Sequence, residues 1–176
     1  MTVRSENTRD QLISHLIETL QDEYQYYQKL RDLADSKNDA IVANDVDKLS
    51  DIIENDKQVI ETLDNLEAER NDILKEMRDI LGLDEGELEY EVLADNLSET
   101  WTEKLNEVRE KLLKVMEELH EINEQNKVLL QEAIKLNNFS FQMISDVVEP
   151  NTQTYNNQKN KKDNSNNKIN RIIDRR

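Results

Sequence analysis

The chain lacks cysteine, and it contains only two glycines and one proline among 176 residues. Without cysteine there is no disulfide, thiol chemistry or cysteine-ligated metal site. So few turn-forming residues exclude a β fold that is rich in tight turns. Aromatic residues are also scarce, at 5%, whereas 35% of the residues are charged. This combination is typical of long helices and coiled coils, so the composition predicts an all-α protein.

Long hydrophobic runs are missing as well. No stretch approaches the roughly 18 consecutive apolar residues of a membrane-spanning helix, and the first residues lack the apolar core of a signal peptide. These absences predict a soluble cytoplasmic protein with no membrane insertion. Residues 1–150 hold 16 Lys and Arg against 37 Asp and Glu, a net charge of −21. Because such a body repels phosphates, we expect no nucleic acid partner.

The residue patterns that carry catalysis are absent too. The two histidines, His15 and His120, do not stand in a metal-ligand spacing, and the chain has no Gly-rich phosphate loop or nucleophile elbow. A di-metal carboxylate bundle needs several inward Glu-x-x-His motifs, but Glu117 and His120 supply one. The other carboxylates fit solvated helix faces. We therefore expect no enzyme activity, no cofactor and no metal.

What is present is a long amphipathic helix over residues 100–148. Thr100 to Glu103 form a capping box that begins it. A heptad pattern then keeps one apolar stripe, the seam, on one side of the helix. The seam consists of Trp101, Val108, Val115, Ile122, Leu129, Leu136 and Met143 with the companions Leu105, Leu112, Leu119, Asn126, Ala133 and Ser140.

The two halves of this helix differ. Trp101 to Leu119 is expected to be the structural spine of a bundle. Ile122 to Val148 is apolar nearly all the way round, so one seam cannot bury all of it. Leu130, Ile134, Phe141 and Ile144 are the residues expected to lack an intramolecular contact.

The upstream sequence predicts two further long helices, at about 8–43 and 46–81, and a short one at 87–96. Thr8 to Gln11 form a capping box, and Gly82 suits the end of the second helix. The apolar stripe of the second helix is wide enough to touch two neighbours. The expected fold is an elongated antiparallel three-helix bundle or coiled coil that comprises residues 1–149.

Residues 150–176 have a different composition. Pro150 ends the helix, and the 26 residues after it contain eight asparagines, seven basic and two acidic residues. Such a segment buries too little apolar surface to offset its chain entropy, so we expect a disordered basic Asn-rich tail. Three isoleucines among its arginines suit a short helical turn that forms on a surface, and its charge suits docking on an acidic surface.

An apolar face left over on an acidic helical protein is typical of a site that binds a partner helix. Two alternatives remain open. In the first, the chain is a structural coiled-coil protein, and its uncovered apolar face forms a homodimer. In the second, the chain is an adaptor of another secretion or division machine.

The pattern of the last helix resembles that of FlgN-type flagellar export chaperones. In that family an Asn-x-x-Asn-x-x-Leu-Leu run is followed by spaced apolar residues and another Asn; here the run is Asn123 to Leu130, followed by Ile134 and Asn138. The upstream plan is also similar. Its matching features are Ala43-Asn44-Asp45, the Glu69-Arg70 pair, the Leu81-Gly82-Leu83 break and Thr154-Tyr155.

This resemblance implies a helical bundle that binds hook-associated proteins of the FlgK and FlgL type and delivers them to the flagellar type III export gate. The family binds these subunits through its C-terminal helical region. Tyr155 matches the position that contacts the export gate, although the long Asn/Lys-rich extension after it departs from the family pattern. The residues that fall on the substrate-binding segment are Asn126, Leu129, Leu130, Ile134, Phe141 and Ile144.

Overall fold

The structure is a computed structural model that describes the backbone of residues 3–83 and 90–148 and the side chains of residues 8–83 and 90–145. The described residues contain no strand, and this confirms the all-α class. None of the described helices is long and apolar enough to cross a membrane. The predicted tail at 150–176 lies outside the described residues. The helices are α1 (Val3–Val42), α2 (Val46–Leu81), α3 (Tyr90–Asp95) and α4 (Glu99–Val148).

Local sequence signals account for most of the helix ends. Asp45 caps α2, because its carboxylate accepts a hydrogen bond of 3.0 Å from the backbone N–H of Lys48. Asn44 takes the left-handed conformation, with φ of 53°, that closes the tight turn after α1. α1 itself begins at Val3, earlier than the capping box at Thr8 suggests. Residues 3–7 contain no helix breaker, so the helix continues through that box.

Gly82 ends α2 in the left-handed conformation, with φ of 68°. Its N–H donates to the carbonyl of Asp79, and the N–H of Leu83 donates to the carbonyl of Arg78. This is the Schellman arrangement, which satisfies carbonyl groups that the helix end leaves unpaired.

α1 is the central helix, since it packs against both α2 and α4. α2 runs antiparallel to it: His15 pairs with Glu69, whereas Lys37, farther along α1, pairs with the earlier residue Asp56. α4 runs parallel to α1. The indole N–H of Trp101 donates to Asp10 at 2.9 Å, and 25 residues later in α4 the amide of Asn126 donates to the Ala34 carbonyl at 2.6 Å.

The core lies along α1. Near the start of α1 a buried cluster joins residues of all four helices, namely Ile13, Leu16, Ile17, Ile73, Met77, Leu93 and Leu105. Farther along, the α4 seam supplies Val108, Leu112 and Val115, and α2 supplies Ile52 and Leu63. The wide stripe of α2 is buried only in part, because Ile53 and Ile60 are 44% and 46% exposed. Near the start of α1, Ile73 and Met77 of this stripe do join the cluster that also contains Leu93 of α3 and Leu105 of α4.

α4 extends beyond the rest of the bundle. Asn126 lies beside Ala34, and α1 ends eight residues after Ala34, at Val42. Eight residues after Asn126, α4 reaches Ile134 and still continues to Val148. At about 1.5 Å per residue, roughly 20 Å of helix therefore runs past the end of α1. We call residues 134–148 the α4 extension.

Candidate functional site

Large apolar side chains of the α4 extension are exposed. Every described side chain of the extension, from Ile134 to Ser145, is exposed to solvent. Exposed fractions of the apolar ones range from 51% for Ile134 to 71% for Phe141. A helix that lies free in water without covering this surface forgoes the burial that stabilises most amphipathic helices. The exposed apolar residues are Ile134, Leu136, Phe139, Phe141, Met143 and Ile144.

Two adjoining faces are visible when these residues are placed at about 100° intervals around the helix. The first continues the seam: Leu129 is half-buried, but Leu136 and Met143, one and two heptads later, are 65% and 56% exposed. The seam stays apolar after α1 has ended. Leu136 and Met143 were not among the residues predicted to bind a partner, because the bundle was expected to cover the seam. Phe139, which lies off the seam, was not among them either. The last helix was predicted to be longer, at 100–148, than the two helices predicted at 8–43 and 46–81. This difference in length was the signal that part of its seam would lie uncovered.

The second face brings together four of the six residues predicted to bind a partner. Leu130, Ile134, Phe141 and Ile144 lie within about 80° of one another around α4. All four are exposed, with Leu130 at 40% the least so. They share one exposed face of α4, and Asn137 lies on that face between Ile134 and Phe141.

Asn126 and Leu129 are placed differently. Asn126 is 7% exposed, and its side chain amide donates to the Ala34 carbonyl of α1, so it holds α4 against the bundle. Leu129 is half-buried on the same side of α4. A contact of either residue with a partner stays a prediction. Tyr155 lies outside the described residues, and its role at an export gate also stays a prediction.

The described part of the α4 extension is nearly free of charge. Lys135 pairs with Glu132 at 2.7 Å, and residues 136–145 contain no Asp, Glu, Lys or Arg. Its polar residues are Asn, Ser and Gln, and the Ser140 hydroxyl already donates to the Leu136 carbonyl at 2.9 Å. Covering this surface therefore requires no desolvation of a charged side chain, which is costly without a matched partner.

Charged groups are instead buried within the bundle. Glu23 of α1 is 2% exposed, and Arg70 of α2 donates to its carboxylate at 2.7 Å. Burial raises the pKa of Glu23 above its ordinary value of 4.5, although Arg70 opposes this change. Lys37 and Asp56 make a second partly buried pair between the same helices. Arg31 links α1 to α4 through Glu118 at 3.1 Å. These pairs join helices and lie apart from the α4 extension.

No group of three or more His, Asp or Glu side chains within the described ranges is arranged to hold a metal ion. His15 bonds Glu69 of α2 at 2.8 Å on the surface of the bundle. The surface with the strongest signal for binding is thus apolar and helical.

Residues 2–163 match the family model described as FlgN protein. No curated protein and no solved structure matches the chain. The matched residues include all four helices and the whole α4 extension. Membership of this family supports a general role as a flagellar export chaperone. The chain belongs to the FlgN family.

Proposed function

We propose that the chain is a cytoplasmic chaperone of the flagellar type III export system and that it binds hook-associated proteins of the FlgK and FlgL type. The observation that carries the proposal is the α4 extension, an apolar helix end that runs past the bundle and carries no charged residue from Leu136 to Ser145. Its match to the FlgN family supplies the biological setting. Neither enzymatic chemistry nor a cofactor enters the proposal.

The two faces of the extension suit a partner made of amphipathic helices. Such helices bury apolar side chains against Leu130, Ile134 and Phe141 on one face of α4. On the other face they cover the part of the seam that α1 leaves exposed. Covering one of these side chains fully is worth about 1.5–3 kcal/mol. Occupation of the extension hides the partner's own assembly surface, which prevents premature polymerisation. Release follows when the export gate competes for the complex, with Tyr155 as the proposed gate contact.

The test compares variants of the last helix for binding to a purified hook-associated protein by calorimetry. We expect Leu130→Ser together with Phe141→Ser to weaken binding at least tenfold for each side chain that the partner covers. The matched control is Leu113→Ser, since Leu113 is 50% exposed on the same helix but lies in its first half. The control is expected to bind as the unchanged protein does.

Circular dichroism separates a lost contact from a lost fold. The double variant is expected to keep its helical signal, because both side chains are exposed. If the double variant binds the partner as well as the unchanged chain, the extension is not the binding surface.

The homodimer alternative makes a different prediction about mass in solution. A structural coiled-coil protein covers the extension with a second copy, so light scattering finds a tight dimer that ignores hook-associated protein. Under the chaperone proposal, light scattering finds the mass of one chain when the protein is alone. It finds the mass of a mixed complex when hook-associated protein is added. An adaptor of another machine would leave the hook-associated protein unbound and the chain unpaired.

A further inference from the structure

A second apolar surface lies on the bundle itself, between α2 and α4. Here the two outer helices leave a groove of about 290 Å³ whose floor is α1. We propose that this groove binds the basic C-terminal segment of the same chain, residues 168–176. We name it the α2–α4 groove; its apolar lining is Tyr27, Leu30, Ile60, Leu63, Leu112 and Met116.

The walls of the groove are open to water. Ile60 on α2 is 46% exposed, and Met116 on α4 is 39% exposed. A groove of about 290 Å³ has room for several water molecules. Replacing that water by aliphatic side chains is favourable, because it removes apolar wall surface from solvent. The groove therefore suits a short segment with a few aliphatic residues.

The polar residues of the groove determine the charge of its occupant. The groove is lined by three acidic residues and one basic residue, namely Glu23, Asp64, Glu67 and Arg70. Arg70 bonds one oxygen of Glu23, whereas the other oxygen, Oε1, is buried and has no hydrogen-bond partner within the described part of the chain. A buried carboxylate oxygen without a donor is costly. An occupant that brings Arg or Lys thus meets an excess of negative charge.

Residues 168–176 have the matching composition. Ile169, Ile172 and Ile173 stand at the i, i+3, i+4 spacing that places three side chains on one helix face. A helix formed by this segment would place Lys168 and Arg175 along the edge of that face. The segment holds four basic residues and one acidic residue, Asp174, whereas the rest of the chain is strongly acidic.

The segment is long enough to reach the groove. Met116 lies 32 residues before Val148, which is about 48 Å along α4. Residues 149–167 join Val148 to the segment, and 19 residues span up to about 65 Å when extended. Tethering also raises the effective concentration of the segment at the groove. Residues 164–176 lie outside the family match, so this contact is a property of this chain rather than one taken from the family.

The experiment uses the full chain and its lack of cysteine. Trp101 is the sole tryptophan, so Asn170→Cys labelled with dansyl gives one donor and one short-range acceptor of energy transfer. Docking brings the label near Met116, which lies about 22 Å along α4 from Trp101. Without docking, the tail leaves α4 about 70 Å from Trp101. We expect transfer in the unchanged chain and its loss in about 0.5 M salt, because screening weakens charge attraction.

Groove and tail variants identify the contact. Ile172→Asp in the tail, or Ile60→Ser with Met116→Ser in the groove, is expected to lower the ratio of docked to free tail at least tenfold. The matched control is Ile53→Ser with Val128→Ser. These residues are 44% and 57% exposed on the same two helices, but they do not line the groove. The control is expected to keep the transfer, and all variants are expected to keep their helical signal.

Three outcomes overturn the proposal. Absence of transfer in the unchanged chain means that the tail does not dock. Transfer that salt abolishes but the groove variants leave intact means that the tail binds another acidic surface. Transfer between an unlabelled chain and a labelled chain that carries Trp101→Phe means that the tail docks on a second copy. None of these measurements involves a hook-associated protein, so their outcome is independent of the chaperone proposal.

Discussion

At the scale of single residues, Asn126 is a polar side chain in an otherwise apolar seam. Its amide bonds the Ala34 carbonyl, but its oxygen is buried without a hydrogen-bond partner among the described residues. Asn at such a position fixes the register of paired helices at a cost in stability. The parallel pairing of α1 and α4 places this Asn beside α1, where sliding of α4 would move it away from Ala34.

We therefore predict that Asn126→Leu raises the free energy of unfolding by about 1 kcal/mol, because it removes an unsatisfied buried oxygen. Urea unfolding measures the change. Asn123→Leu is the control, since Asn123 is exposed on the same helix, and it is expected to change stability by less than about 0.5 kcal/mol. A large loss of stability in Asn126→Leu would show that the hydrogen bond outweighs the unsatisfied oxygen.

Glu23 gives the bundle a pH dependence. Burial raises its pKa in the folded state, so the folded chain binds this proton more tightly than the unfolded chain does. As pH rises from the ordinary value of 4.5 through the folded pKa, this group lowers the stability of the fold. Glu23→Gln removes that contribution.

We expect the stability of Glu23→Gln, relative to the unchanged chain, to increase as pH rises through this window. Unfolding by urea at a series of pH values measures the difference, and common effects of the other carboxylates cancel in it. Glu61→Gln is the control, since Glu61 is exposed on the same helix as Arg70. If the difference in unfolding free energy between Glu23→Gln and the unchanged chain does not vary with pH, then Arg70 fully offsets the effect of burial on the pKa of Glu23.

At the scale of elements, Gly82 is the residue that lets α2 end. Its φ of 68° strains any residue with a side chain, although a Cβ at this position meets no atom within 4 Å. Gly82→Ala is therefore expected to cost about 1 kcal/mol of stability from the backbone alone. Thermal unfolding measures it against Glu76→Ala, an exposed substitution inside α2 that we expect to be nearly neutral. If Gly82→Ala and Glu76→Ala are equally stable, the left-handed backbone at position 82 does not strain a residue that has a side chain.

α4 is one helix with two levels of stability. Leu105 to Asn126 is anchored in the bundle, whereas the α4 extension has exposed side chains throughout its described part. We predict that amides of residues 134–145 exchange with deuterium much faster than those of residues 105–126, because little tertiary packing opposes their opening. Hydrogen exchange with mass spectrometry measures both segments in one sample. Equal protection in the absence of a partner would indicate that the extension is already covered.

The sequence predicted the elements better than their contacts. The heptad spacing from Trp101 identified α4, and the residues at 44–45 and 82 indicated where α1 ends and α2 begins and ends, since these signals are local. The burial of Asn126 and the exposure of Leu136 depend on where α1 stops beside α4, and that is a property of the assembled bundle. Heptad counting assigns both residues to the same seam. Likewise, the width of the α2 stripe did not reveal that Ile53 and Ile60 remain open to water.

At the scale of the whole molecule, charge opposes compaction. The chain carries a net charge of −16 and has an expected isoelectric point near 4.5. We predict that sodium chloride raises the thermal unfolding midpoint at pH 7, because screening weakens repulsion within the acidic body. The same addition near pH 4.5 is expected to have little effect, as the net charge is then close to zero. A salt effect of equal size at both pH values would exclude self-repulsion as its cause.

The parallel pairing of α1 with α4 also has a consequence for the order in which the protein is made. Trp101 meets Asp10 across 91 positions of sequence, and Asn126 meets Ala34 across 92. On the ribosome, α1 and α2 are complete and adjacent before any of α4 emerges, so their local hairpin is free to form first. The α4 extension emerges only after the part of α4 that anchors it. The apolar surface of the extension therefore reaches solvent only when α1 and α2 are already available to anchor α4.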